Sequence, residues 1–388
     1  MTGARPPSTA RGSGEAEADE ATASAILTID LDALLANYRR LADLSAPAEC
    51  AAVVKADAYG LGMAAVAPAL ARAGCKTFFV ATLGEAKDLR ALLPHATVYV
   101  FDGLLAGTAP FYRKHGLRPV LNSPEEIKEW AAFAVATRTR LAAAVHIDSG
   151  MNRLGLSAVE VEAIATAKDL WSAFELALVM SHLACADEPE HPKNEAQRRT
   201  FEALRSKLPK AIASLANSAG ILLGRPYHYD LVRPGIALYG GKARRAEQNP
   251  FAPVVHLAGR ILQVRDVAAG ETVGYGATRT VKRPSRVAIL AVGYADGLFR
   301  ALSVGDDKEG LRVYLGSYPA PILGRVSMDL ITVDVTGVPE HLAERGAWVE
   351  LIGRNVAAHE LAAHAGTIDY EVLTNLGARA ARSYLGGS

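Results

Sequence analysis

Cysteine is scarce in this 388-residue chain, and the three present, Cys50, Cys75 and Cys185, lie far apart in no metal-ligand spacing. An odd, sparse set of thiols suits a reducing cytoplasm, the expected location, and no metal is expected. Excess charge is missing too. Lys and Arg total 42 against 41 Asp and Glu, a net charge of +1, so nothing marks a nucleic-acid or anionic-membrane partner. No apolar run approaches the length of a membrane span. No GxGxxG spacing follows a candidate strand, which removes the usual support for a doubly wound dinucleotide fold. Residues 2–25 contain no Val, Ile, Leu, Phe, Tyr or Trp, so a disordered tail is expected over 1–25. That tail has no apolar h-region of a secretory signal, and Glu15, Glu17, Asp19 and Glu20 argue against a transit peptide.

What is present suits two domains with cores of their own: apolar residues make up 50% and charged residues 21%. After a strand at Ile26–Ile29 and a helix beginning near Asp30-Leu31-Asp32, eight short apolar runs follow: 51–55, 77–81, 97–101, 118–121, 143–148, 176–182, 212–217 and 230–233. Amphipathic stretches separate them at 63–73, 83–93, 123–136, 157–171 and 194–208. This alternation predicts an α/β architecture, a (β/α)8 TIM-type barrel over 26–253. Beyond Asn249-Pro250-Phe251-Ala252-Pro253 the pattern changes to period two at 256–264, 286–292, 312–315, 322–335 and 348–352. A mostly antiparallel β domain is therefore expected over 254–388, with helices near 359–364 and 370–381.

In such a barrel, chemistry gathers at the carboxyl ends of the strands. Lys55 and Tyr59 follow the first run, Asp148 to Arg153 the fifth, His182 the sixth, Asn217-Ser218 the seventh, and Arg233-Pro234-Gly235-Ile236 the eighth. Taken singly, each has a plainer reading. A strand-end lysine can reach solvent, His182 can be a satisfied core histidine, Arg233 an ion-pair partner, and Ser218 a helix cap. Their common rim changes the balance. A lysine stripped of water becomes a neutral amine able to attack a carbonyl. Ser218-Ala219-Gly220 and Gly235-Ile236, after the last two strands, suit a phosphate. An amine opposite a phosphate cradle is the arrangement pyridoxal 5'-phosphate requires.

The segments AVVKADAYGLG, HIDSGMNRLG, SHLACADE, ANSAG, VRPGIALYG, VGYGATR, VGYADG, GRVSMD and YEVLTNLGARAARSY, in that order, resemble the alanine racemases, which are fold-type III pyridoxal-phosphate enzymes. The resemblance covers essentially everything after the tail. It implies that Lys55 holds the cofactor and acts as base on one face of the substrate Cα, with Tyr275 the base on the other. A single base returning its own proton would regenerate the starting enantiomer. An ordinary phenol, titrating near ~10, needs help to serve as a base, and the family uses His182 backed by Arg233. Arg233 also matches the arginine facing the pyridine nitrogen, which weakens the ring as an electron sink. Tyr59, Asn217, Ser218, Gly235, Ile236 and Tyr370 match cofactor contacts, and Arg153 and the backbone of Met328 match groups around the substrate carboxylate. Tyr294 and Asp296 fall in the family's entrance segment. In the family Tyr275 and Met328 come from the other subunit, so the resemblance implies a homodimer with shared active sites. It implies L- and D-alanine as substrates, with serine a slow one, and D-alanine made for peptidoglycan or consumed.

One departure stands out. Many relatives carry a carbamylated lysine beside the arginine corresponding to Arg153, and this chain has His146 there. A histidine cannot become a carbamate anion, so bicarbonate independence is expected. Ser327 stands where some relatives have cysteine. A basic amino acid decarboxylase of the same fold type would need a substrate-pairing cysteine and another phosphate loop, and neither is evident. A non-catalytic cofactor carrier would lack the β domain. A broad-spectrum racemase would be exported, and the tail has no export signal.

Overall fold

The computed structural model describes residues 21–245 and 248–387, so most of the expected disordered tail lies outside the described residues. The chain divides into two compact units, Leu34–Ala252 on the one hand, and Met1–Ala33 with Pro253–Ser388 on the other. It opens with β1 (Ala25–Asp30) and α1 (Leu31–Ser45), where the Asp30 carboxylate accepts the N–H of Ala33 at 2.8 Å.

The Leu34–Ala252 unit continues with β2 (Glu49–Cys50), β3 (Ala52–Val53), α2 (Met63–Arg72), β4 (Thr77–Val80), α3 (Leu83–Leu92), β5 (Thr97–Val100) and α4 (Ala109–His115). There follow β6 (Arg118–Leu121), α5 (Pro124–Thr137), β7 (Ala142–His146), α6 (Ala158–Ala165), α7 (Lys168–Ser172), β8 (Glu175–Met180), α8 (Lys193–Arg205), β9 (Ile212–Ser214), α9 (Ser218–Leu222) and β10 (Leu231–Val232). Strands β3 to β9 pair in parallel, in chain order. The ring closes through β10. On one side the N–H groups of Ala51 and Val53 donate to Val232 and Pro234, each at 3.0 Å, and on the other Arg233 donates to Ala216 at 2.9 Å. This is the expected (β/α)8 barrel.

Its strands are buried on both faces, as in Thr77–Val80, where all four residues are buried, so they read as short continuous apolar runs. β1 behaves differently. Its burial alternates residue by residue, and it pairs antiparallel with β11 (Val255–Val267) and parallel with β19 (Ala381–Leu385). The barrel start expected at residue 26 is thereby corrected, because an alternating strand has one face to bury and finds its cover in a sheet, not in a barrel wall.

The remaining unit adds β12 (Thr272–Val273), β13 (Arg279–Thr280), β14 (Ser285–Leu290), β15 (Arg312–Leu315), β16 (Tyr318–Leu323), β17 (Ile331–Asp334), β18 (Trp348–Ile352), α10 (Ala358–Ala365) and α11 (Asp369–Thr374). The long β11 pairs with β1 and β18 along its first half, then shifts register at a bulge and pairs with β14. Since β14, β17, β16, β15 and β18 are also joined in turn, this sheet curls back on β11 and is mostly antiparallel. Two expectations fail here. The run 322–335 is two strands, interrupted where Gly324 takes φ +70° and the chain loops out over 325–330. The helix expected over 370–381 ends at Thr374, the chain is irregular over 375–380, and Ala381 instead opens β19, paired along β1. Among the described residues, no helix is long and apolar enough to cross a membrane and no side-chain group suits a metal.

Candidate active site

Lys55 follows β3 directly, and the chain then does something its sequence does not announce. Ala56, Asp57, Ala58 and Tyr59 all take left-handed backbone angles, with φ of +52°, +54°, +55° and +57°. None is glycine. At about 1–2 kcal/mol for each L-residue so placed, the turn stores roughly 4–8 kcal/mol that its surroundings must offset. Hydrogen bonds close it: Ala58 N–H to Val54 O at 2.9 Å, Gly60 N–H to Ala56 O at 2.7 Å, and Gly62 N–H to Asp57 O at 2.9 Å. The Asp57 carboxylate accepts the Met63 N–H at 2.7 Å, and Glu85 accepts the Ala56 N–H at 2.8 Å. The expected passage through Tyr59-Gly60 into a helix is thus a left-handed turn first, and α2 starts only at Met63.

The turn aims two side chains from one short segment. Tyr59 is buried and packs on Tyr239, ring centroids 4.7 Å apart, while the Tyr239 hydroxyl donates to Val53 O at 2.9 Å. Gly235 lies against the same phenol, where a Cβ would come within 2.2 Å of the Tyr59 oxygen, so only glycine fits. The Ser218 hydroxyl oxygen accepts the N–H groups of Gly235 at 2.9 Å and Ala237 at 3.2 Å, which leaves its own proton to donate. Asn217 caps α9 by accepting the Gly220 N–H at 2.9 Å, and Ile236 is buried next to Gly235.

Arg233 is a buried guanidinium. It donates to the Ser214 hydroxyl, to Ser181 O at 2.6 Å and to Leu215 O at 3.4 Å, yet its Nε–H has no acceptor. Burial pulls it down to about 9, which leaves it charged at neutral pH. Around it the other titratable groups lose basicity. Burial, then Arg233 and Arg153, hold His182 well below the usual imidazole range. Burial also lowers Lys55, with Arg153 pushing the same way and Glu85 and Asp102 opposing. The Lys55 amine sits 5.9 Å from the Phe101 ring centroid. Burial first, then Arg233, brings His146 down to about 4 despite the opposing carboxylate of Asp148.

The sequence-expected set in this unit, Lys55, Tyr59, Arg153, His182, Asn217, Ser218, Arg233, Gly235 and Ile236, therefore occupies strand exits of one barrel. Sequence reasoning missed their supports. Glu85 braces the turn, Asn122 pairs with His146, and Gln197 of α8 accepts the Ala184 N–H at 2.8 Å while donating to His182 O at 2.9 Å. Only Glu85 had a visible signal, the Thr82-x-x-Glu85 spacing of a capping box.

Tyr275, Met328 and Tyr370 belong to the other unit. Tyr275 sits in a short 3-10 turn and is 73% exposed, and Met328 is 53% exposed. A groove of about 410 Å³ runs beside Tyr275, between Gly274, Arg325, Ser327 and Leu330. The N–H groups of Tyr294 and Ala295 donate to Ser327 O at 3.1 Å and Met328 O at 3.0 Å, fastening the expected entrance segment to the Met328 loop. Arg379 ties that segment's Asp296, at 3.2 Å, to Asp329 at 2.7 Å. Tyr370 lies in the first turn of α11, after Asp369.

The family description "Alanine racemase, N-terminal domain" matches residues 29–243, and "Alanine racemase, C-terminal domain" matches residues 254–384. The chain is 52% identical over 363 residues to the alanine racemase of Methylobacterium nodulans, covering 93% of this chain and 96% of that one. It is 47% identical to a protein of Mesorhizobium japonicum named a catabolic alanine racemase, with 95% of each covered. Among solved structures, it resembles the alanine racemase of Bartonella henselae with covalently bound pyridoxal phosphate, at 40% identity and a TM-score of 0.89, over 94% of this chain and all 100% of the other. The biosynthetic alanine racemase of Pseudomonas aeruginosa is similar at 36% identity and a TM-score of 0.85, with 94% and 100% covered.

Proposed function

Because the chain belongs to the alanine racemase family and is a pyridoxal-phosphate-dependent racemase, we propose that it interconverts L- and D-alanine with two bases, Lys55 and Tyr275, on opposite faces of the substrate. The observation that carries this reading is the setting of Lys55: an amine of lowered basicity, locked on a strained turn, on the same barrel as the Ser218–Gly235 cradle. The cofactor, when bound, supplies the electron sink that takes up the pair left when the α-hydrogen departs as a proton.

The residues present fit that group. Lys55 would offer the amine that holds it, and the Ser218 hydroxyl proton, the backbone at Gly235–Ile236, where no Cβ intervenes at Gly235, and Tyr59 would meet its phosphate. The unpartnered Nε–H of buried Arg233 would serve as donor to the pyridine nitrogen, and a guanidinium that stays charged would discourage a proton there. By the family resemblance, Asn217, His182 and Tyr370 would join the cofactor contacts, and Arg153 with the Met328 backbone of a second copy would receive the substrate carboxylate.

Proton handling then follows from chirality. One base takes the α-proton from its face, and the conjugate acid of the other returns a proton to the opposite face, so charge balances and the mirror image results. Tyr275 is the second base, supplied by a second copy of the chain in a homodimer with shared sites. Its exposure of 73%, with Met328 at 53%, supports that arrangement, since an unassembled copy would leave both in water. Enantiomers have equal free energies, so the same reaction supplies D-alanine to peptidoglycan or removes it according to which form is in excess. Serine, one hydroxyl larger, is a slow second substrate.

The test is direct. The purified protein should be yellow, lose that colour to borohydride, and abolish the optical rotation of either L- or D-alanine. Colour without racemisation would overturn the proposal.

A further inference from the structure

We propose that Glu85 is a positioning residue for Lys55, its one carboxylate fastening the left-handed turn after β3 to the backbone that leaves β4. One oxygen accepts the Ala56 N–H at 2.8 Å, the residue immediately after Lys55. The other accepts the Ala81 N–H at 2.8 Å and the Thr82 N–H at 3.3 Å.

These distances separate two roles. A glutamate at the third position of a helix, three residues after a threonine cap, needs only the cap's N–H to complete a capping box. Here that bond, to Thr82, is the longest of the three. The two shorter ones leave the helix altogether, for the exit of the neighbouring strand and for the turn. β3 and β4 are paired at Ala52–Phe78 and Val53–Phe79, and Val54 N–H donates to Phe79 O at 2.9 Å, so their exits are adjacent. Glu85 bridges that gap with a charged acceptor, the stronger kind of hydrogen bond.

The turn needs such a brace. Four successive L-residues at positive φ relax toward the right-handed or extended regions once their tethers loosen. Val54 O, Asp57 and Gly60 close the turn on itself, whereas Glu85 ties its first residue to another part of the barrel. Relaxation there would swing the Lys55 amine and the Tyr59 phenol together, because both leave the same segment. The carboxylate also lies close enough to Lys55 to oppose the loss of basicity caused by burial and Arg153. Its effect on the amine is thus geometric first and electrostatic second.

The inference rests on the role of Lys55 given above. The experiment titrates pyridoxal phosphate into full-length protein freed of cofactor, follows the bound colour, and locates the borohydride-trapped label by peptide mapping. Three variants are compared with the parent: E85A, E85Q and T82A. T82A removes the helix cap, whose hydroxyl accepts the Glu85 N–H at 3.2 Å, and leaves the carboxylate in place. E85A should weaken cofactor binding on the order of ten- to a hundredfold, the effect of losing a charge-assisted bond. E85Q, keeping one acceptor oxygen, should fall between E85A and the parent, and T82A should bind like the parent. Parental affinity in E85A overturns the inference, as does an equal loss in T82A. If E85A fails to fold, E85Q is judged against T82A by the same comparison. A parental label found elsewhere than Lys55 overturns the underlying role instead.

Discussion

Nδ1 of His146 lies 2.9 Å from Oδ1 of Asn122, and this contact decides which tautomer the buried ring adopts. The Asn122 amide nitrogen already donates to Val120 O at 2.8 Å and Phe101 O at 3.3 Å, so its oxygen must face the histidine. Nδ1 therefore carries the proton, and Nε2 is left as an acceptor. A neutral ring with a free lone pair is what a nearby arginine can use, and it needs no carbon dioxide. We expect activity to be the same in carbonate-free buffer and in bicarbonate, measured as kcat for L-alanine. A bicarbonate requirement would contradict the reading of His146.

The same histidine makes the fold acid-sensitive. Its pKa is about 4 in the folded chain against an ordinary 6.5, so the unfolded chain binds the extra proton first as pH falls. Stability is fully present above about 6.5 and is lost progressively down to about 4, by roughly 3 kcal/mol from this group. Urea unfolding at pH 7 and pH 4.5 should show the loss. His146→Asn should narrow the difference between the two pH values, even if it lowers stability at both.

Gly235 leaves no room for a side chain, because a Cβ there would meet the Tyr59 oxygen at 2.2 Å and Cζ at 2.9 Å. Tyr59 cannot retreat without leaving Tyr239, on which it packs. Gly235→Ala is expected to weaken pyridoxal phosphate binding on the order of tenfold, the usual result of overpacking by one methyl. Fluorescence or absorbance titration of the cofactor-free protein measures it. Gly224→Ala is the control for glycine loss in general: a Cβ there meets nothing within 4 Å, although φ is +100°.

Much of this site was legible in the chain because its parts are local. Short apolar runs located the strands, and polar residues after five of the eight runs located the rim. The left-handed turn was not legible, since Ala56, Ala58 and Tyr59 disfavour positive φ and the Glu85 brace lies 29 residues from Ala56. Asn122 and Gln197 were hidden for a related reason. An amide has no pattern of its own until folding brings residues 24 positions away, as between Asn122 and His146, within reach. β19 went unforeseen because its partner strand, β1, lies at the other end of the chain.

Gln197 gives a test of one such hidden support. Its buried amide both accepts the Ala184 N–H and donates to His182 O, clamping the loop that carries His182. Gln197→Ala strands both backbone groups, at about 1–3 kcal/mol apiece. Urea unfolding should show that loss. Because the His182 loop is then free to shift, kcat should fall by more than KM changes.

The proposed sharing of active sites between two copies predicts complementation between two defective variants. Lys55→Ala should abolish bound colour and racemisation, whereas Tyr275→Phe should keep the colour and lose turnover, more from L-alanine than exchange from D-alanine. Each variant is defective alone. Mixed, dissociated and reassembled, they form a heterodimer in which one site has lost both bases and the other has kept both. Random pairing makes half the dimers heterodimers, each with one competent site of two, so about a quarter of the parental activity should return. If each site were built from one chain, no pairing could reunite an intact Lys55 with an intact Tyr275, and the mixture would stay at the level of its components. Activity that fails to return, with heterodimer formation established by differently tagged subunits, would place both bases on the same chain.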